Sequence, residues 1–305
     1  MLKRAVQQVI IAIIRPYVYY EFPGWGRVYN AFVGDYSRNW LWTGSRPRVI
    51  RGKIHNYEMP LDLSNWADRS TFFLGRWYDL ASQMLIATAV RQGDTVVDVG
   101  ANRGMFALTA VRQVGSAGRI ICFEPNPKCV DILERDLHLN SIDNVTVYNV
   151  GLSDENAELT LSIPHINQGE ATFGFSTYLN VDKIAVPVRV GDDMLHDVTP
   201  TVIKIDVEGY EPRVLKGLKE TITKARPVIV TEVVRQHLCH CGFSLEELSG
   251  LMGKLGYNGF RLSVMRTGMH FRLRLTDDYL AADDCDVAWL HPDSPVAARL
   301  RAAVG

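Results

Sequence analysis

Thr95-Val96-Val97-Asp98-Val99-Gly100-Ala101-Asn102-Arg103-Gly104 is the stretch that decides the fold of this chain. A short run rich in β-branched residues predicts a buried strand, two glycines punctuate the turn after it, and Met105–Val114 has the apolar spacing of a helix. A strand running into a glycine turn and then a helix is a cradle for a nucleoside cofactor. Glycine lets the backbone approach a ligand, and the first helical turn offers unpaired N–H groups. The spacing departs from the dinucleotide pattern G-x-G-x-x-G, because Asn102 stands where the middle glycine would be. A pyrophosphate needs closer backbone approach than that.

Working outward, short apolar runs alternate with helical segments, which predicts a parallel α/β sheet. Arg119–Glu124, Val145–Val150, Val202–Val207 and Pro227–Val233 read as further strands, with Tyr257–Leu262 and Asp286–Leu290 as the last two. Asn126-Pro127 caps a helix over Lys128–Leu139. Gly209 and Pro212 open another that runs to about Lys224, and Ser244 with Glu247 forms a capping box for Leu245–Leu255. The rhythm changes between these halves. Glu158–Ile163 and Ala185–Val190 alternate like a hairpin around a long polar loop, Pro164 to Asp182, of the kind that shapes a binding pocket. Residues before about Gln92 form a separate region, with a hairpin at Val49–Leu63 and a helix at Trp77–Arg91.

Composition narrows the function classes. The chain has 305 residues and a net charge of −1, so it is not a bulk nucleic-acid binder. Its five cysteines are odd in number and scattered, which argues for a reducing, cytoplasmic compartment. His237-Leu238-Cys239-His240-Cys241 lacks a second ligand pair at zinc spacing and reads as a loop after a buried strand, so no metal site is assigned. From Met1 to Lys53 basic residues outnumber Glu21 and Asp35, and Val9–Ile14 is apolar but too short to span a bilayer. An amphipathic helix follows, suited either to packing on the domain or to lying peripherally on the inner face of a membrane, with Lys3, Arg4 and Arg15 toward anionic headgroups.

The charged residues at strand ends carry the chemistry. Glu124 lies about 20 residues beyond the glycine turn, where a carboxylate accepts the hydroxyls of an adenosine ribose. Asp98 is placed for a cofactor ammonium or for backbone N–H groups of the turn, and Asp154 for an adenine amino group or a local turn. Lys204-Ile205-Asp206-Val207-Glu208-Gly209 puts three charges on a strand that is otherwise buried. Alternation predicts Lys204, Asp206 and Glu208 on one side, with Glu232 beside them at the end of the next strand. Such a group can deprotonate an acceptor hydroxyl, hold a cation that does so, or form an ion-pair network that shapes the cleft.

Taken together, Asp98–Gly104, Phe123-Glu124-Pro125, Gly151-Leu152-Ser153-Asp154, Lys204–Gly209 and Thr231-Glu232 resemble the FkbM family of S-adenosylmethionine (SAM)-dependent methyltransferases. The resemblance spans about Leu74 to Val233. It implies a class I SAM-dependent methyltransferase fold, Rossmann-like, with a seven-stranded, mostly parallel sheet whose last strand is antiparallel. The expected domain limits are a basic, amphipathic extension over 1–70 and a tail over 293–305, both outside the motifs, with the methyltransferase domain over 71–292 between them. SAM would be held by Asp98, Gly100, Asn102, Gly104, Glu124 and Asp154. Asp206, Glu208, Glu232 and Lys204 would serve O-methylation of a saccharide, glycolipid or related natural-product acceptor. His165, in the inserted loop, is an outlying candidate for the base. An NAD-dependent oxidoreductase and a non-catalytic methyltransferase-like module are the alternatives. A nucleic-acid methyltransferase is disfavoured, since the strand-four block lacks the Asn/Asp-Pro-Pro-aromatic signature.

Overall fold

A computed structural model describes residues 2–165, 168–268 and 270–304, so two residues of the inserted loop lie outside the described residues. Contacts divide the chain into two units, Met1–Leu80 with Arg266–Phe271, and Ala81–Met265 with Arg272–Gly305.

The first unit comprises helices α1 (Leu2–Tyr19), α2 (Trp25–Phe32) and α3 (Asn39–Trp42), an antiparallel hairpin of β1 (Arg48–Arg51) and β2 (Glu58–Leu61), and helix α4 (Trp66–Leu74). Asn65 starts α4 by accepting the N–H groups of Ala67 and Asp68, and Gly75, at φ 70°, stops it in the left-handed conformation. Trp42 and Tyr29 meet Phe73 edge-on in its core. Buried Arg69 donates through its terminal nitrogens to the carbonyls of Leu63, Gly34 and Asp35 and to Asn39 Oδ1. Buried Glu21 lies between Arg76 at 2.8 Å and Lys53 at 2.5 Å. The helix predicted from Trp77 starts only at Leu80.

The second unit begins with α5 (Leu80–Ala89) and the strand–turn–helix of β3 (Thr95–Val99) and α6 (Met105–Val114). β4 (Arg119–Phe123), α7 (Pro127–Leu139) and β5 (Val145–Tyr148) follow. A three-stranded sheet is then inserted, made of β6 (Gly151–Ser153), β7 (Ala157–Pro164) and β8 (Val181–Val190) in the order β6-β8-β7, before α8 (Gly191–Met194). The main chain resumes with β9 (Val202–Ile205), α9 (Glu211–Gly217), α10 (Lys219–Ala225), β10 (Val228–Val234), α11 (Arg235–His240) and α12 (Leu245–Lys254). It closes with β11 (Asn258–Thr267), β12 (His270–Thr276), β13 (Asp284–Leu290) and α13 (Pro295–Val304).

The main sheet runs β12-β11-β13-β10-β9-β3-β4-β5. β10, β9, β3, β4 and β5 are mutually parallel, and β13 runs antiparallel between β10 and β11. This is the class I methyltransferase architecture. Chain order reverses between β3 and β9, so the crevice beyond their carboxyl ends is the switch point where such sheets bind ligands.

Several expectations need correction. The sheet has eight strands rather than seven. The added strand, β12, lies at the sheet's edge and alternates exposed His270, Arg272 and Arg274 with Phe271, Leu273 and Leu275. The third strand ends at Tyr148 rather than Val150, and Gly151–Ser153 starts the inserted sheet. The helix opened by Pro212 is broken at Gly217, where a Cβ would come 1.9 Å from the Ser153 carbonyl oxygen; backbone meets backbone there. The fourth strand ends at Ile205 rather than Val207. Asp206 N–H still bonds the Val99 carbonyl at 3.0 Å, but Glu208 and Gly209 then take φ of 55° and 97°. Strand alternation therefore cannot place Glu208; a left-handed turn does.

Candidate functional site

The glycine turn is built by close approach. Gly100, at φ 78°, lies so near the end of β9 that a Cβ would meet the Asp206 carbonyl oxygen at 1.8 Å. Gly104, at φ 77°, lets α6 settle on Leu133, which a Cβ would meet at 2.2 Å. Asn102 shares the left-handed conformation, at φ 48°. Its N–H, at 2.7 Å, and that of Asn126, at 2.8 Å, each donate to one oxygen of the Glu124 carboxylate. One lone pair on each oxygen is left for other donors, such as a diol. Burial pushes Glu124 up to about 7 despite those two N–H groups.

Asp98 is 1% exposed, and neither carboxylate oxygen has a hydrogen-bond partner. Burial raises it to about 6; Lys204 and the Ala107 N–H at the start of α6 pull the other way, and Asp206 adds to the rise. The Ala107 N–H acts on this carboxylate without reaching hydrogen-bond geometry. An orphaned buried carboxylate beside a left-handed glycine turn fits a cationic ligand. Such a ligand would satisfy the oxygens and relieve the cost of burying them. Asp154 accepts from Arg213 at 2.9 and 3.2 Å, and Ser153 Oγ lies 3.2 Å from the Tyr210 hydroxyl. Arg213 pins this carboxylate on the inserted sheet's side of the crevice.

The second set converges on the ends of β9 and β10. Lys204 Nζ bonds Asp206 at 2.5 Å and lies 5.7 Å from the Phe106 ring. Glu208, Glu232 and His237 each offer one atom to a group lying within 4.8 Å of one another. Glu232 is held well above the carboxylate range, first by the charge of Asp206, then by burial, Glu208 and Asp286. The expected Asp206, Glu208 and Glu232 group is thus brought together, by the turn and the adjacent strand. Glu208 is raised by burial to about 7, which outweighs His237; the same pairing raises His237.

Two further residues were missed. His237 was read as part of a loop but lies in helix α11, one turn beyond β10. Its only signal in the sequence was its closeness to Glu232. Glu211 is 1% exposed, takes the N–H groups of Val207 and Gly209 at 3.2 Å each, and so holds the turn that aims Glu208; burial raises it to about 7. His165 pairs with Asp182 at 2.7 Å on an exposed edge and does not line the cavity described next.

A cavity of about 160 Å³ opens on Glu208 and His237. The inserted loop forms much of its wall, with Glu170, Thr172, Phe175 and Tyr178, and α11 adds Gln236 and His240. Thr172 Oγ1 donates to the Glu208 carbonyl at 3.0 Å, and Tyr178 donates to Glu170 at 2.5 Å. Aromatic faces, carboxylates and hydroxyls around one small space can stack on and hydrogen-bond a polar ligand.

The sequence profile of the methyltransferase FkbM domain matches residues 98–262, the segment that carries both sets of residues. The chain belongs to the FkbM methyltransferase family. Curated relatives of the FkbM domain include methyltransferase sdnD of Sordaria araneosa, 31% identical over 157 residues that cover 41% of this chain and 60% of that protein. Hexuronic acid methyltransferase AglP of Haloferax volcanii is 27% identical, over 48% of this chain and 59% of its own length. 2-O-methyltransferase NoeI of Sinorhizobium fredii is 25% identical, over 51% and 70%. The chain thus spans less than two thirds of the length of the first two. A solved FkbM methyltransferase from Methylobacillus flagellatus KT aligns over 87% of this chain and 60% of its own, at 15% identity and a TM-score of 0.38.

Proposed function

We propose that this chain transfers a methyl group from SAM to a hydroxyl of a saccharide or glycosylated acceptor. The observation that carries the reading is the placement of the cavity. It opens on Glu208, two residues past the Asp206 backbone on which the Gly100 turn packs, so a cofactor cradle and a polar, aromatic acceptor space share one stretch of chain. The names of two relatives, a hexuronic acid methyltransferase and a 2-O-methyltransferase, support a sugar hydroxyl. Glu124 would take the ribose hydroxyls, Asp98 the amino-acid ammonium, and Asp154, oriented by Arg213, the adenine amino group. Gly100, Asn102 and Gly104 would give backbone approach. SAM supplies an electrophilic sulfonium methyl. The residues of the chain have to hold the acceptor oxygen in line, exclude water and accept the hydroxyl proton. Asp206, held by Lys204, and the Glu208–His237 pair are placed for that proton, with Glu232 supporting. The experiment is transfer of labelled methyl from SAM into a glycan and lipid extract of the source cell, with Asp206→Ala as control. Label in neither the wild-type nor the variant reaction removes the reading, and binding of NADH without SAM would favour the oxidoreductase.

We also propose a peripheral membrane contact for the first unit. Leu2, Val9 and Ile13 of α1 are 80%, 56% and 66% exposed, and Arg4 flanks this stripe, while Lys3 Nζ bonds the Thr43 carbonyl at 2.9 Å. Arg15 does not take part: it bonds the Phe72 carbonyl at 3.0 Å and stacks on the Phe72 ring. No described helix is long and apolar enough to cross a membrane. Replacing Leu2, Val9 and Ile13 by Ser should lower partition onto anionic liposomes, and unchanged partition removes the idea.

A further inference from the structure

Glu208 Oε2 and His237 Nδ1 lie 2.7 Å apart. Both atoms are buried and close enough for their charges to act on each other, but the ring N–H does not point at the carboxylate oxygen. A charged imidazole that simply paired with a carboxylate would point its N–H at the oxygen. Two atoms this close that do not point at each other are arranged like neighbouring ligands of one ion. Glu232 adds a third atom, all three within 4.8 Å of one another, and ligands about 2.0–2.2 Å from a common ion fall inside that limit. Among the described residues this is the one such group of His, Cys, Asp and Glu.

The backbone holds the group in place. Glu208 is a non-glycine residue at φ 55°, a conformation that costs free energy and persists only where its surroundings impose it. Thr172 bonds its carbonyl, and Glu211 takes the N–H groups on either side of it. Gly209 packs so tightly on α11 that a Cβ would meet the His237 carbonyl oxygen at 2.2 Å. The turn and the helix that present two of the three atoms are therefore locked to each other. With Lys204 bonded to Asp206 at 2.5 Å, the site itself presents two carboxylates and one imidazole.

We propose that Glu208, Glu232 and His237 form a binding site for one divalent transition-metal ion at the wall of the acceptor cavity. One imidazole nitrogen with two carboxylates suits Mn²⁺, Co²⁺ or Zn²⁺ better than Ca²⁺ or Mg²⁺, which favour all-oxygen sets. The ion would have open positions toward the cavity, where a hydroxyl could coordinate and lose its proton more readily. That use of the ion rests on the proposed methyl transfer; the binding site does not.

The test is calorimetric titration of chelator-treated full-length protein with Mn²⁺ and with Co²⁺, Mg²⁺ serving as comparison. Glu232→Gln and His237→Gln are measured beside wild type, each checked for native circular dichroism. Cys239→Ser, at an exposed neighbouring thiol, controls for adventitious binding in this His- and Cys-containing segment. One ion per chain is expected, with affinity at least tenfold weaker in both site variants, unchanged in Cys239→Ser, and weaker for Mg²⁺. No Mn²⁺ or Co²⁺ binding at millimolar concentration, or equal affinity in folded site variants, overturns the proposal. Labelled methyl transfer is followed in the same samples. Transfer without any metal binding sinks the metal site and leaves the methyltransferase reading standing. Metal binding with the expected variant losses but no transfer does the reverse.

Discussion

Gly100→Ala puts a single methyl group where the cofactor turn meets β9. Two costs add. The first is conformational: at φ 78° an alanine is strained by about 1–2 kcal/mol. The second is collision. The new Cβ would lie 1.8 Å from the Asp206 carbonyl oxygen and 3.2 Å from Val207 Cγ1. Ordinary contact is roughly 3.5 Å, so the end of β9 must retreat by about 1.5 Å. No rotamer relieves this, because the obstacle is backbone. The retreat strains the Asp206 N–H bond to Val99, worth about 1 kcal/mol, and adds overpacking of about 1–3 kcal/mol. The sum is about 3–6 kcal/mol. Gly93→Ala is the matched control: it has φ 84° and nothing within 4 Å of its Cβ, so it should cost only the first term, about 1–2 kcal/mol. Urea unfolding followed by circular dichroism measures both, and SAM titration of the folded fraction should show weakened binding for Gly100→Ala alone. If the two variants lose the same stability to within about 0.5 kcal/mol, the close approach of β3 and β9 does not restrain the turn as described.

Glu124→Gln turns an NH₂ toward the N–H of Asn102 or Asn126, replacing one accepted bond by a donor–donor contact. A loss of about 1.5–3 kcal/mol is expected, seen as SAM affinity falling roughly 10- to 100-fold in calorimetry; unchanged affinity takes Glu124 out of the cofactor site. Burial raises Asp98 to about 6 and Glu124 and Glu211 to about 7, above the values of about 4 expected unfolded. A raised carboxyl stabilises the native state fully below the unfolded value and loses that contribution as pH rises through the folded one. The Tm of ligand-free protein should therefore fall between pH 5 and pH 8, and a Tm that rises across that range contradicts the assignment. Arg213→Met should cost less than about 1 kcal/mol of stability, because its pair with Asp154 is partly exposed, yet weaken SAM binding several-fold by releasing Asp154. Equal affinity in a filter-binding assay would remove Asp154 from adenine recognition.

Much of the second unit was legible because local rules and tertiary structure agree there. The strand of Thr95–Val99, its glycine turn and the capped helices over Pro127–Leu139 and Leu245–Lys254 lie where apolar period and cap residues put them. The readings failed where chain distant in sequence imposed the local shape. The helix is interrupted at Leu218, just after Gly217 packs against the Ser153 backbone. Glu208 is turned left-handed by bonds from Thr172 and Glu211. Helical periodicity does not mark such positions.

The parallel α/β order, the carboxylates at the strand ends and the family are carried by residue type and spacing along one segment, and so are legible without coordinates. Tertiary structure decided which of those carboxylates work together. Packing of the 208–209 turn against α11 brought His237 to Glu208 and Glu232, and the inserted loop walled in the cavity beside them. A side chain's partners across a fold depend on close packing of backbone that is remote in sequence, and spacing within one strand carries no information about it.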